Sequence, residues 1–218
     1  MSYPVIIRTT KLASLAAVTG SGRHTWRESV TPNADPSRTS TNSDLRPVRS
    51  ADELADAVAL RVGLATEKAK EPVLCIEYLI TANADAFIEH GGRVDSDAYF
   101  RDALAWLEKR HGAENVVAVN VQRDETAPHL VAYVVPLVEI AAGTRRRSVI
   151  AGTNADGTRR RETREFVQTA GVRLSSAHYQ GTPAKMRDMQ SDFAASVGAR
   201  HELVRGVVTA DVELGIGL

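Results

Sequence analysis

The chain alternates between short β-rich apolar runs and stretches whose apolar residues recur at helical spacing. YPVIIR at 3–8 has the make-up of a short strand, and the pattern after it predicts a weak helix over Lys11–Val18. Ser50 and Glu53 form an S-x-x-E capping pair ahead of Leu54, Ala57, Val58 and Val62, which marks a helix start. Pro72 opens PVLCIEYLIT, a run suited to a buried strand. Over 95–111, Tyr99, Phe100, Ala103, Leu104 and Leu107 share one helical face, with Asp95 or Ser96 to cap it and Gly112 to end it. NVVAVNVQ (115–122) and HLVAYVVPL (129–137) read as two strands joined in a hairpin by RDETAP. Thr182 and Pro183 start a helix carrying Met186, Met189, Phe193 and Val197, and a last strand is predicted near 202–208.

Two stretches lack such a pattern. Gly20–Arg49 is polar and turn-rich, and connections of that length tend to be functional or disordered. Residues 140–173 carry Arg145–Arg147 and Arg159–Arg161 around an Asn154-Ala155-Asp156-Gly157 turn and read as an exposed hairpin or arm. The order of elements predicts an α+β fold, an antiparallel sheet with helices packed on one side.

The length of 218 residues fits one domain with a short appendage, and 43% hydrophobic residues suffice for a core. The lone Cys75 has no disulfide partner, no apolar run is long enough to span a bilayer, and no signal peptide is visible, so a cytoplasmic protein is expected. Zero formal net charge argues against a simple polyanion-coating protein. The charge is nevertheless uneven: residues 1–50 carry seven Lys/Arg against three acids, and 141–173 eight Arg against three. Local basic surface of that kind is enough to bind nucleic acid, although charge runs are also common on plain solvated faces.

Chemistry concentrates in two places. Gln122-Arg123-Asp124-Glu125-Thr126-Ala127-Pro128-His129 puts two carboxylates and an imidazole across a tight connection, an arrangement able to hold Mg²⁺ or Mn²⁺ against a phosphate, or simply a common turn. His24-Thr25-Trp26-Arg27-Glu28, followed by Asn33, Asp35, Ser37 and Arg38, sets an imidazole among arginines that can fork onto phosphate oxygens. Trp26 offers a surface for stacking an unpaired base, or an anchor for a loop.

GRHTWRE…TPNADPSRT, EPVLCIEYLITA, QRDETAPHLVAYVVPL and the last helix, in that order over most of 1–207, resemble the Mob/Pre family of plasmid mobilisation proteins, the MobV-type relaxases. The resemblance implies a fold like that of the His-hydrophobic-His endonucleases, about five antiparallel strands with helices mainly on one face. It implies a relaxase domain over 1–210, with the 140–173 arm as an insertion and 211–218 as a tail. It further implies site- and strand-specific nicking at an origin of transfer, by metal-assisted transesterification through a covalent 5′-phosphate link. His24 falls at the nucleophile's place, with Tyr133 and Tyr3 in reserve, and Asp124 and Glu125 beside it. Mn²⁺ or Mg²⁺ is the implied cofactor, with no small-molecule cofactor besides. Plasmid DNA, as a single strand or hairpin with flanking duplex, is the implied partner, with a coupling protein or a homodimer alongside. Arg23, Trp26, Arg27, Arg38, Arg145, Arg146, Arg147, Arg159, Arg160 and Arg161 are the expected DNA contacts.

The sequence departs from the family in its metal motif, His-x-Asp-Glu-x-x-Pro-His-x-His. Gln122 and Val131 stand where the first and last histidines are expected, leaving His129 and, with it, Gln122 and the neighbouring Glu77 as candidate ligands. A neutral amide oxygen is a weaker donor than imidazole for most transition metals. An origin-binding remnant that no longer cuts, and a replication-initiator-like nuclease, are therefore the competing readings.

Overall fold

Strands in the middle of the sheet carry apolar side chains on both faces, and this determines the architecture. The computed structural model describes residues 2–66 and 72–206. Its main sheet has six strands: β1 (Pro4–Leu12), β2 (Ser43–Asp44), β3 (Cys75–Ala82), β4 (Val116–Gln122), β5 (His129–Val134) and β10 (Val204–Arg205), in the order β10-β1-β3-β5-β4-β2. All pairings are antiparallel except β1 with β10.

Along β3 and β5, alternate residues serve two separate cores. Ile76, Tyr78, Ile80, Leu130, Ala132 and Val134 pack with Tyr99, Phe100, Leu107, Met189 and Phe193, which belong to α3 (Ser96–His111) and α5 (Pro183–Ser196). Cys75, Val131 and Tyr133 pack the other way, with Val18 of α1 (Leu15–Thr25) and Leu54 and Val58 of α2 (Ala51–Val62). Helices thus cover both faces, which corrects the one-sided arrangement expected from the order of elements. The physical reason is that every residue of β5 is buried, a pattern of a sheet sandwiched between two layers rather than one with a wet face.

The helix starts follow their caps. The Ser50 hydroxyl accepts the Glu53 N–H at 3.1 Å, and the Glu53 carboxylate takes the Arg49 N–H at 2.7 Å. Asp95 accepts from Asp97 and Ala98, and Thr182 from Lys185. At the N-terminus the expected boundaries move. β1 runs to Leu12 because it pairs with β3 in unbroken register from Val5↔Ala82 to Leu12↔Cys75. The first helix then starts at Leu15, where the Ser14 hydroxyl accepts the Ala17 N–H at 3.1 Å. It continues to Thr25, through glycines that propensity alone disfavours. The supposed long loop from Gly20 is therefore helix at its start, and further on it contains a 3₁₀ turn over Pro36–Thr41 and strand β2.

HLVAYVVPL, read as one strand, breaks at Val135–Pro136 into β5 and β6 (Leu137–Ile140). β6 pairs with β9 (Gly171–Leu174) at the foot of the arm, and the arm itself is a hairpin of β7 (Gly143–Thr153) and β8 (Arg159–Gln168). A short α4 (Ser176–Gln180) leads on to α5. The last strand is confined to Val204–Arg205; the rest of its predicted span beyond 206, and the 211–218 tail, lie outside the described residues.

Gly22 is where α1 meets α2: a Cβ added there would lie 2.9 Å from the Ala51 Cα, against backbone that cannot yield cheaply. Gly20, in the same helix, has open space around it. Gly22→Ala is expected to destabilise the protein by about 1–3 kcal/mol in urea melts, whereas Gly20→Ala should leave it unchanged or stabilise it by up to about 1 kcal/mol. Equal effects at the two positions would mean that the helices do not touch at Gly22.

Candidate active site

The end of α1 crosses over the same end of β3, β5 and β4, and the side chains between them enclose a cavity of about 400 Å³. Register explains which strand residues face it. Gln122 pairs with His129, and Leu79 with Val131, so alternate positions Glu77, Leu79 and Thr81 line one wall beside His129 and Val131. Helical spacing brings Ser21, His24 and Thr25 to the cavity from α1, and Asn33, Gln122, Glu125, Thr126 and Ala127 complete the lining.

His24 is half exposed at the rim, its Nε2 4.0 Å from a Glu125 oxygen. Its Nδ1 lies 3.4 Å from the Thr31 hydroxyl oxygen, and that hydroxyl donates to the Ser29 carbonyl. The Thr31 oxygen is then left to accept, which favours the proton on Nδ1 and the lone pair on Nε2. His129 is set the same way: its Nδ1 lies 3.0 Å from the Ala127 carbonyl, which can only accept, so Nε2 carries the lone pair.

Beneath the rim lies an ionic clamp. Arg27 Nε and Nη2 donate to the two oxygens of Asp124 at 2.9 and 2.6 Å, and Nη2 also reaches Gln122 Oε1 at 2.8 Å and Glu125 Oε1 at 3.0 Å. The Arg27 and Asp124 side chains are 10% and 0% exposed, so both charges are withdrawn from water. Burial pushes the Asp124 pKa up, but hydrogen bonds from Arg27, Asn42 and Thr39 outweigh it and hold the carboxyl below its ordinary range.

This clamp changes several expected roles. Asp124 and Arg27 bind each other, so Asp124 is not free to orient His24, and Arg27 is not a free phosphate fork. Gln122 is fully buried with its amide oxygen committed to Arg27, which removes it as a metal ligand in this arrangement. Glu77 lines the cavity but accepts the Ser21 hydroxyl. Trp26 is half-buried, its indole N–H bonded to Asp44 at 3.0 Å and its ring stacked on Tyr133, so it anchors the α1 terminus instead of offering a face to a base. Tyr133 is fully buried, its hydroxyl 2.7 Å from those of both Ser21 and Thr25, and burial pushes its pKa up; it is scaffold, not nucleophile. Tyr3 lines a different pocket, with Asp85 and His201.

Arg23 and Arg38 are exposed, the latter donating to the Arg123 carbonyl, and neither lines the cavity. The six arm arginines, 145–147 and 159–161, are all exposed. Thr25 and Asn33, which the sequence places in the same polar constellation as His24, line the cavity, together with Ser21, Leu79 and Thr81, which no sequence motif marks. Ser21 and Thr25 would have emerged as neighbours of His24 had the helix been followed to its end.

A family model for plasmid recombination enzymes, Mob_Pre, matches residues 1–214. The chain belongs to this family. Among curated proteins, the plasmid recombination enzyme type 1 of Staphylococcus aureus is 25% identical over 140 residues, which are 62% of this chain and 34% of that protein. The Mob_Pre chain thus spans about a third of the length of that relative. Among solved structures it is similar to the MobM relaxase domain bound to 22-nucleotide origin-of-transfer DNA of plasmid pMV158 with manganese, at TM-score 0.66 and 20% identity over 97% of this chain and 99% of that one. A second such complex, with a 3′-thiophosphate on the DNA, gives TM-score 0.67 and 19% identity over 98% and 100%. At that identity the likeness establishes the fold, an α+β sheet with helices.

Replacing Asp124 by Asn is expected to cost about 3 kcal/mol of stability at neutral pH, because it leaves Arg27 buried against weaker partners. Since the folded-state pKa of Asp124 is depressed, its contribution is whole above the unfolded value near ~4 and fades as pH falls through the folded one. Urea melts at pH 7 and pH 3 should therefore show the difference between wild type and variant shrinking in acid. A difference that does not change with pH would show that the charge of Asp124 is not what matters.

Proposed function

We propose that this Mob_Pre chain is a DNA relaxase that cuts one strand of plasmid DNA at an origin of transfer and keeps the 5′ end on His24. The observation carrying this reading is that His24 and His129, far apart in sequence, line one cavity with Glu125 at its rim. Family membership and the fold shared with relaxase domains solved on origin DNA support it.

The chemistry is a transesterification. His24 Nε2, with its lone pair free, attacks the scissile phosphorus; the P–N bond forms and the P–O3′ bond breaks. The imidazole becomes cationic as it is phosphorylated, and the Glu125 carboxylate at 4.0 Å stabilises that charge. Its Nδ1 proton leaves towards the Thr31 hydroxyl and water, while the departing 3′ oxygen takes up a proton as a 3′-hydroxyl. Attack by a 3′-hydroxyl on the phosphoramidate reverses these steps and rejoins the strand. Arg27 positions Glu125 and does not touch the phosphate.

Manganese is present in the relatives' structures, and Mn²⁺ or Mg²⁺ is the ion such chemistry would use to polarise the phosphate. The donors of this chain do not fit it as they stand. Among the described residues no three His, Cys, Asp or Glu side chains come together as a metal site. His129 Nε2 is an available imidazole, but Gln122 and Glu125 are both engaged by Arg27. This engagement favours the second reading, an origin-binding protein with impaired cleavage.

With supercoiled plasmid carrying its own origin, wild type plus Mn²⁺ or Mg²⁺ should yield open circles with protein on the 5′ end, in an acid-labile, alkali-stable linkage typical of a phosphoramidate. His24→Ala should abolish the adduct. Specific binding with no nick by wild type would favour the second reading. Separately, Mn²⁺ titrations followed by loss of the free-ion electron paramagnetic resonance signal should show weak binding, strengthened about tenfold or more in Gln122→His. Equal affinities would mean that position 122 does not limit the ion.

A further inference from the structure

The β7–β8 arm has no core. From residue 141 to 170 no side chain is buried, although a two-stranded ribbon in water is marginal by itself. The foot is well fastened: β6 pairs with β9, and Thr66 brackets Val172, its N–H donating to the Val172 carbonyl at 2.7 Å and its hydroxyl accepting the Val172 N–H at 2.9 Å. A close approach of Thr66 to Gly171 seals this clasp, since a Cβ there would lie 2.5 Å from the Thr66 hydroxyl. A ribbon held firmly at its foot and bare on both faces is built to present side chains.

What it presents is cationic on both faces. Arg146 is paired with Glu165 at 3.0 Å, Arg164 with Glu162, and Arg160 donates to the Ala151 carbonyl. Arg145, Arg147, Arg159 and Arg161 make no ion pair or hydrogen bond among the described residues. Register separates these four. Arg145 faces Phe166 across the ladder and Arg147 faces Arg164, so both lie on one face near the foot. Arg161 pairs with Ile150 and Arg159 with Thr153, which places both on the opposite face near the tip.

We propose that the arm is a clamp for duplex DNA, entering the major groove edge-on so that its two faces meet the two phosphate walls. A ribbon laid flat on base edges would concentrate its reading side chains on one face, whereas here unpaired arginines stand on both. The shape agrees, since a two-stranded β-ribbon is an element that the major groove, about 12 Å wide, admits. Contacts of this kind are made to phosphates, so the arm fixes position along the duplex without reading its sequence. The inference rests on the relaxase reading only for the choice of DNA, since the cavity would take the single strand and the arm the paired DNA beside it.

The test uses the whole chain, with Arg145, Arg147, Arg159 and Arg161 changed to Gln together, and also in the two pairs Arg145/Arg147 and Arg159/Arg161. The probes are a plain duplex of two unrelated sequences, the origin hairpin with its single-stranded extension, and the extension alone. The quadruple variant should melt like wild type, because these side chains have no partners to lose. It should bind both duplexes at least about tenfold more weakly, with a slope of log affinity against log salt smaller by about 3–4, one phosphate per arginine. Each pair should account for about half of that, and binding of the extension alone should not change.

Loss confined to one pair, or loss that depends on duplex sequence, would overturn the edge-on clamp in favour of a flat, base-reading ribbon. Unchanged duplex binding, or a wild type that binds the extension but no duplex, would remove the arm from DNA recognition altogether. Arm-dependent duplex binding by a wild type that never nicks would leave the clamp standing and sink the relaxase reading instead.

Discussion

One buried ion pair, Arg27 with Asp124, holds the active end of this molecule together. Arg27 sits in the left-handed backbone region (φ 57°), a conformation that costs a non-glycine residue roughly 1–2 kcal/mol. The hydrogen bonds of its guanidinium to Asp124, Gln122 and Glu125 offset that cost. The same guanidinium donates to the His24 carbonyl at 2.9 Å, so the backbone that carries the imidazole is fixed by the clamp. On the other side, the Asp124 backbone accepts the Asp35 N–H at 2.7 Å and its carboxylate accepts Thr39. The polar segment after α1 is thereby wrapped onto the β4–β5 turn and does not hang free.

The two-sided sheet supplies the rest. Because β3 and β5 give alternate residues to opposite cores, the face beneath α1 and α2 carries Cys75 and Tyr133 at depth and Glu77, Leu79 and His129 towards one end. A chain of hydroxyls, Thr25 to Tyr133 to Ser21, ends on the Glu77 carboxylate and ties helix to strand across that face. The cavity stays open where this polar chain replaces apolar packing. One physical design therefore serves both ends: apolar contacts hold the helices to the sheet, and buried polar contacts orient the groups of the site.

Those same contacts engage the position where the resemblance places the first metal-motif histidine. Gln122 stands there, and its amide oxygen is a partner of Arg27. A neutral acceptor can sit beside a guanidinium where an ion-binding imidazole would require a different neighbour. Gln122 and the clamp are thus one arrangement, in which a single guanidinium holds Asp124, the Gln122 amide oxygen and Glu125 together.

Much of this was legible in the sequence wherever the signal is local. Ser50, Asp95 and Thr182 act as caps as their spacing predicts, and the expected hairpin forms between Val116–Gln122 and His129–Val134, short of the predicted end at 137. His24 and His129 were singled out by residue type and motif order, and both reach the cavity. What could not be read is whatever depends on partners distant in the chain. Glycines within α1 hid a helix that close packing against Ala51 accommodates, and so Trp26 and Arg27 passed for loop residues open to DNA. Composition can mark an arginine or a carboxylate as chemically able. Only the tertiary structure decides whether its charge faces solvent or is already spent on a buried neighbour, because that depends on which groups the fold brings within three ångströms.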